Sequence, residues 1–237
     1  MSAAKEPRLL VSPSPEEWVL DAARWISERL AAALSDRPRA SMSLAGGSTP
    51  AAVYRQLVEG GEGWPTVDWS RIDLYLGDER AVEPDHPDAN ARLAMETLVQ
   101  PLGRSAPQLF LPVGIAHSVE AAADAYDELV PDVLDLCLLG IGEDGHVASL
   151  FPGQPTLEEM SREVVPVHDS PKPPPDRISL TPRVLADARA LAVLARGEGK
   201  QEPVRLALAV EGPASELPAR LARHGTWLLD AAAAPSA

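Results

Sequence analysis

The segment Cys137–Gly153, CLLGIGEDGHVASLFPG, puts a histidine two residues after an aspartate on a glycine-rich turn. The ordinary pKa of histidine lies near working pH, so His146 is a candidate general base. Asp144 is spaced to orient that ring or to raise its pKa. The same turn spells G-x-G-x-x-G at Gly140, Gly142 and Gly145. A dinucleotide site would need those glycines to open a long helix, with an acid about 20 residues further on. Pro152 and Gly153 stop any helix within two turns, and this is not the first strand–helix unit of the chain. The glycines are therefore read as sharp bends that hold Asp144 and His146 out at a strand end. The plainer alternative is a capping aspartate beside a hydrogen-bonded histidine.

Three further segments carry groups suited to an anionic ligand. In LAGGSTP, Gly46 and Gly47 lead to two hydroxyls, Ser48 and Thr49, and then to a helix start. Backbone N–H groups there can cradle an anion, although a tight turn with an N-cap would look the same. The segment lacks the lysine of a Walker A loop. In GDER, Arg80 can clamp a phosphate or carboxylate, and Asp78 can orient a hydroxyl or a water; a solvated turn is the alternative. In GEGK, Lys200 can reach an anion as a point charge. Leu194 in the first glycine position and Gln201 after the lysine rule out a P-loop. Lys172 and Arg177 lie in a stiff proline-rich loop, SPKPPPDR. His86, His117, His168 and His224 stand in unrelated settings, and Cys137 is a lone thiol in an apolar run. No metal site and no disulfide is expected.

These groups must be positioned by a chain of 237 residues, 45% of them hydrophobic, enough for a sizeable core. A formal net charge of −14 argues against nucleic acid as a partner. It also demands that any cations serving an anionic ligand be local, because the field of the whole protein repels it. No run approaches the roughly 20 apolar residues of a membrane span. Met1 to Val11 lacks an apolar signal core, so a cytoplasmic location is expected. Ser14, Pro15, Glu16 and Glu17 read as the start of a helix with an apolar face through Trp18, Ala22, Trp25, Ile26, Arg29 and Ala33. Strand-like runs then alternate with helical ones, from SMSL through IDLYLGDER and LDLCLLGIG to RISLT, ALAVLAR and TWLLD. The expected fold is α/β: one doubly wound, mostly parallel sheet with helices on both faces, as a single domain over 1–237, with 231–237 a frayed tail. Such sheets place their sites at the carboxyl ends of strands. The Gly46–Thr49, Asp78–Arg80 and Asp144–His146 clusters all fall there.

Five blocks, LAGGSTP, LYLGDERAVEPDHPDANARLAMETL, LLGIGEDGHVASLFPG, SPKPPPDRISLT and GEGK, occur in the order seen in 6-phosphogluconolactonases. The resemblance runs from about Pro15 to Asp230. One departure is Val147, where the family usually carries threonine; it touches a minor hydrogen bond. The resemblance implies a Rossmann-like fold shared with glucosamine-6-phosphate deaminases and ribose-5-phosphate isomerases. It implies hydrolysis of 6-phospho-D-glucono-1,5-lactone, the second step of the oxidative pentose phosphate pathway, without a cofactor. By the same resemblance His146 is the base, Asp144 its support and Asp78 a site acid. Gly46, Gly47, Ser48 and Thr49 form part of the pocket. Arg80, Lys172, Arg177 and Lys200 face the phosphate or lactone oxygens. The implied partner is a phosphorylated sugar lactone, with no nucleic acid and no membrane. A monomer is expected, coupled in function to glucose-6-phosphate dehydrogenase. Two alternatives use the same fold. Amino-sugar phosphate deaminases carry GDEY and an FNEPG glutamate; Arg80 and Phe151 stand at those places here. Sugar-phosphate sensors carry a DNA-binding segment ahead of the domain, whereas the first helix here is expected from Pro15.

Overall fold

Alternation within each apolar strand builds two cores, one on each face of a single sheet, in a computed structural model that describes residues 6–235. Seven strands form this sheet: β1 (Arg8–Ser12), β2 (Ala40–Leu44), β3 (Ile72–Leu76), β5 (Gln108–Leu109), β6 (Leu136–Gly140), β9 (Leu191–Ala195) and β10 (Thr226–Asp230). Every pairing is parallel, in the order β1-β10-β9-β6-β2-β3-β5. Cys137, Leu139, Val193, Ala195, Trp227 and Leu229 point to one core, while Leu136, Leu138, Ala192, Leu194 and Leu228 point to the other. That two-residue period explains why the central strands read as continuous apolar runs: both faces are covered. Helices α1 (Pro15–Asp36), α2 (Ser48–Glu59) and α3 (Asn90–Ala94) cover one face; α4 (Val119–Asp127), α5 (Pro182–Asp187) and α6 (Gln201–Leu208) cover the other. Strand order runs outward from β2 through β3 to β5 and, in the opposite sense, from β6 through β9 to β10. The reversal lies between β2 and β6, the place where a crevice opens at the strand ends of such sheets.

Helix α1 starts as its sequence requires. The Ser14 hydroxyl accepts a bond from the Glu17 N–H at 3.2 Å, and Pro15 occupies the first turn. Its buried face continues through Leu30 rather than Arg29, which is exposed and lies over the Trp25 ring. The run Ile72–Arg80 is not one strand. Gly77 breaks it, and Asp78–Arg80 becomes β4 of a small antiparallel sheet, β4-β8-β7, with β7 (Val164–Val167) and β8 (Arg177–Leu180). Gly77 sits against the Leu44 carbonyl, where its N–H bonds at 2.9 Å and a Cβ would crowd the oxygen. The tail expected to fray from 231 is instead docked as far as Ala234. Ala233 and Ala234 donate to the Asp230 carbonyl, the Gln201 side chain holds the Ala234 carbonyl, and Ala233 is fully buried. Residues 236 and 237 lie outside the described residues. Among the described residues no helix is long and apolar enough to cross a membrane.

Candidate active site

A cavity of about 320 Å³ opens at the carboxyl edge of the main sheet, over the reversal between β2 and β6. Gly46 follows β2, Asp78 and Arg80 belong to β4, Gly140 ends β6 and Gly142 follows it, and His146, Lys172, Arg177 and Lys200 complete the wall. Nine of the residues singled out in the sequence therefore share one cavity. Gly47 and Ser48 line an adjoining depression, with Arg80 common to both, and Thr49 stands in the first turn of α2 behind them. Asp144 stands directly behind His146.

The turn after β6 is built for that pair. The Gly142 N–H bonds the His146 carbonyl at 2.9 Å, the Gly145 N–H bonds the Gly142 carbonyl at 3.0 Å, and Gly145 takes a φ of 76° that favours glycine. Asp144 Oδ1 lies 2.5 Å from His146 Nδ1. With the carboxylate ionised, Nδ1 carries the proton and Nε2 keeps its lone pair for the cavity. Burial depresses the His146 pKa, Asp144 pulls it back up, and the Lys172 charge lowers it again; the net shift is downward. Asp144 thus does both things its spacing suggested, holding Nδ1 and raising the pKa, but burial outweighs it and leaves the ring below the ordinary histidine value. For Asp144, burial pushes upward but the bond from His146 prevails, so its carboxyl titrates below the usual range. The ring packs against Phe151, with centroids 4.7 Å apart. Phe151, 1% exposed, occupies with hydrocarbon the place where the deaminase pattern has glutamate.

The opposite wall holds its acids differently. Asp78, 7% exposed, accepts from Ser149 Oγ at 2.6 Å and from Asn90 Nδ2 at 3.0 Å, with Arg177 Nη1 at 3.9 Å. It acts on His146 only through its charge. Glu79 turns away from the cavity. Its carboxylate accepts backbone N–H bonds from Arg80 (2.7 Å), Asn90 (2.8 Å) and Ala91 (2.7 Å), tying β4 to the start of α3. Burial outweighs those three bonds and pushes its pKa up to about 7.

The cations divide into two kinds. Arg177 lines the cavity but is buried, and it gives its N–H groups to the Lys172, Pro173 and Pro174 carbonyls and to Ser149. It fixes the proline loop that carries Lys172, a positioning task the sequence did not reveal. Lys172 is exposed at the rim, and Lys200 is half-buried on the turn after β9. Asp230 accepts the Gly197 N–H at 3.0 Å and so sets that turn. Burial lowers the Lys200 pKa, Glu143 raises it, and the like charge of Lys172 lowers it further. Arg80 donates to the Asp88 carbonyl through Nη1, while its Nε is buried without a partner. The sequence reading missed Glu79, Asn90 and Ser149. Their one signal was a polar residue inside an otherwise apolar or helical block.

The arrangement offers one free imidazole nitrogen, three cations with donors to spare and an aromatic backing in Phe151. That is equipment for attack of water on an anionic ester. Comparison with known proteins agrees. Residues 13–229 match the family model described as glucosamine-6-phosphate isomerases/6-phosphogluconolactonase. A 6-phosphogluconolactonase of Streptomyces coelicolor is 38% identical over 96% of this chain and 94% of its own length. One from Rattus norvegicus is 37% identical over 98% and 95%. The solved 6-phosphogluconolactonase of Trypanosoma brucei superposes with a TM-score of 0.81 at 29% identity, covering 97% of this chain and 98% of its own. A monomeric glucosamine-6-phosphate deaminase, at 24% identity and a TM-score of 0.75, shares the fold.

Proposed function

The chain belongs to the glucosamine-6-phosphate isomerase/6-phosphogluconolactonase family, and on that premise we propose that it is a lactonase. It hydrolyses 6-phospho-D-glucono-1,5-lactone to 6-phospho-D-gluconate, the second step of the oxidative pentose phosphate pathway. The observation that carries this reading is the His146–Asp144 pair, with Nε2 free, facing a cavity walled by Arg80, Lys172 and Lys200.

Neutral His146 takes a proton from a water attacking the lactone carbonyl carbon. Asp144 holds the ring in the tautomer that leaves Nε2 basic and steadies the imidazolium that forms. The imidazolium then returns the proton to the ring oxygen as the C–O bond breaks, so the histidine ends as it began. Arg80, Lys172 and Lys200 bind the phosphate and offset the developing oxyanion. These local cations meet the constraint set by the net charge of −14. Phe151 argues against the deaminase reading, which needs an acid to assist ring opening. The reading includes a monomer working in the cytoplasm after the dehydrogenase that forms the lactone.

The test generates the lactone in situ from glucose 6-phosphate and a dehydrogenase, then follows its loss with no protein, wild type or His146→Asn. Wild type accelerates the loss, and the variant lowers kcat by about 10²- to 10⁴-fold. Equal acceleration by both proteins moves the base elsewhere. No acceleration by folded wild type removes the lactonase reading.

A further inference from the structure

A second cationic cleft lies at the other edge of the main sheet, where β1, β9 and β10 begin. It measures about 460 Å³, and its walls include Arg8, Trp25, Arg29, Arg189 and His224, with Glu6 as the one carboxylate. The three arginines come from β1, α1 and the turn before β9, and His224 from the turn before β10. Among the described residues Arg8 and Arg29 enter no ion pair, and Arg189 shares Asp135 at 3.3 Å with Arg37. In a chain of net charge −14, gathering unpaired guanidinium groups here opposes the general distribution of charge.

An independent observation concerns the wall behind them. Trp25 Nε1 and His224 Nε2 are both buried without a hydrogen-bond partner, and Trp25 as a whole is only 7% exposed. Buried polar atoms in folded proteins nearly always find a partner, in the protein, in ordered water or in a ligand. The arginines and the Trp25 indole can only donate, while His224 Nε2 donates or accepts according to its tautomer, and guanidinium groups match the paired oxygens of a phosphoryl group.

We propose that this cleft is a second anion site, taking a small phosphorylated molecule, at the opposite end of the strands from the catalytic cavity. It shares no lining residue with that cavity, so its occupant is bound and not turned over.

The test uses inorganic pyrophosphate and the full chain. The indole ¹H–¹⁵N signal of Trp25, assigned through Trp25→Phe, reports the cleft directly, because the other four tryptophans lie outside it. The signal moves saturably as pyrophosphate is added to wild type. In Arg8→Ala/Arg29→Ala the apparent affinity falls by about tenfold or more, as expected for two lost charge-assisted contacts. Both arginines are exposed, so the variant keeps its fold, verified by circular dichroism, and its lactone turnover. A Trp25 signal that does not move, one that drifts without saturating up to about 10 mM, or equal affinity in wild type and the double variant overturns the site.

Discussion

A turn and a short strand stand at the same cavity and use their carboxylates in opposite ways. On the turn after β6, Asp144 is about one-third exposed and shares its short bond with a single ring nitrogen. On β4, Asp78 and Glu79 are almost fully buried, and every carboxylate oxygen already accepts from the protein. A carboxylate with its lone pairs occupied holds structure and projects charge. One that leaves a partner nitrogen free for the cavity supports proton transfer. The bonding of the acids on β4 is that of a framework, whereas the sequence reading gave Asp78 a hydroxyl or a water to orient.

Substitutions can break that division. Asp144→Asn should give the largest loss of turnover after removal of His146 itself. The expected fall in kcat is roughly 10- to 10³-fold, below the ~10⁴ of a fully buried Asp–His pair. The melting temperature should barely change. Asp78→Asn should do the reverse. It sets an amide against Asn90 and Ser149 and leaves buried Arg177 less compensated, a loss of about 1–3 kcal/mol, or several degrees in Tm for a chain of this size, with a smaller fall in kcat. If Asp78→Asn stops turnover while Tm holds, the division fails.

Glu79→Gln sharpens the comparison through pH. A folded pKa near 7, above the unfolded value of 4.5, means that the native state holds the proton more tightly. The associated stability is complete below pH 4.5 and is lost as pH rises to about 7. His146, whose folded pKa is depressed, works the other way: its contribution is present above pH 6.5 and is lost as pH falls through the depressed value. The difference in Tm between wild type and Glu79→Gln across pH 5 to 8 isolates the glutamate, because His146 is common to both (roughly 2–4 °C per kcal/mol). Wild type should lose stability relative to the variant as pH rises; parallel curves would remove the titration. The smallest effect is expected from Lys172→Ala. Removing that charge relieves the depression of His146, so the acid limb of log(kcat/KM) moves to higher pH. A limb that stays in place separates Lys172 from the imidazole.

The parts legible in sequence were those written locally. The His146 turn, the Gly46–Gly47 break and Lys200 each sit within a few residues of the strand that aims them, so a linear pattern suffices. What joins them is distant in the chain. Asp78 is held by Asn90, 12 positions on, and by Ser149, 71 positions on. Nothing in either residue's own neighbourhood announces that pairing. Arg177 was visible as a cation, but its task depends on the path of the proline loop. Strand β7 escaped because Pro166 interrupts its apolar run, which an edge strand tolerates. Strand β1 escaped because Leu9 and Val11 are exposed at the other sheet's margin.

Gly142 contributes no side-chain atom to any reaction. Yet a Cβ at that position would fall within contact distance of the His146 ring and of the Asp144 carboxylate together. In a saturation scan scored by growth, Gly142 should be as intolerant as the base itself, with alanine already inactivating. A map of intolerance would then enlarge the apparent catalytic set by a residue that offers the reaction only backbone bonds and an empty volume.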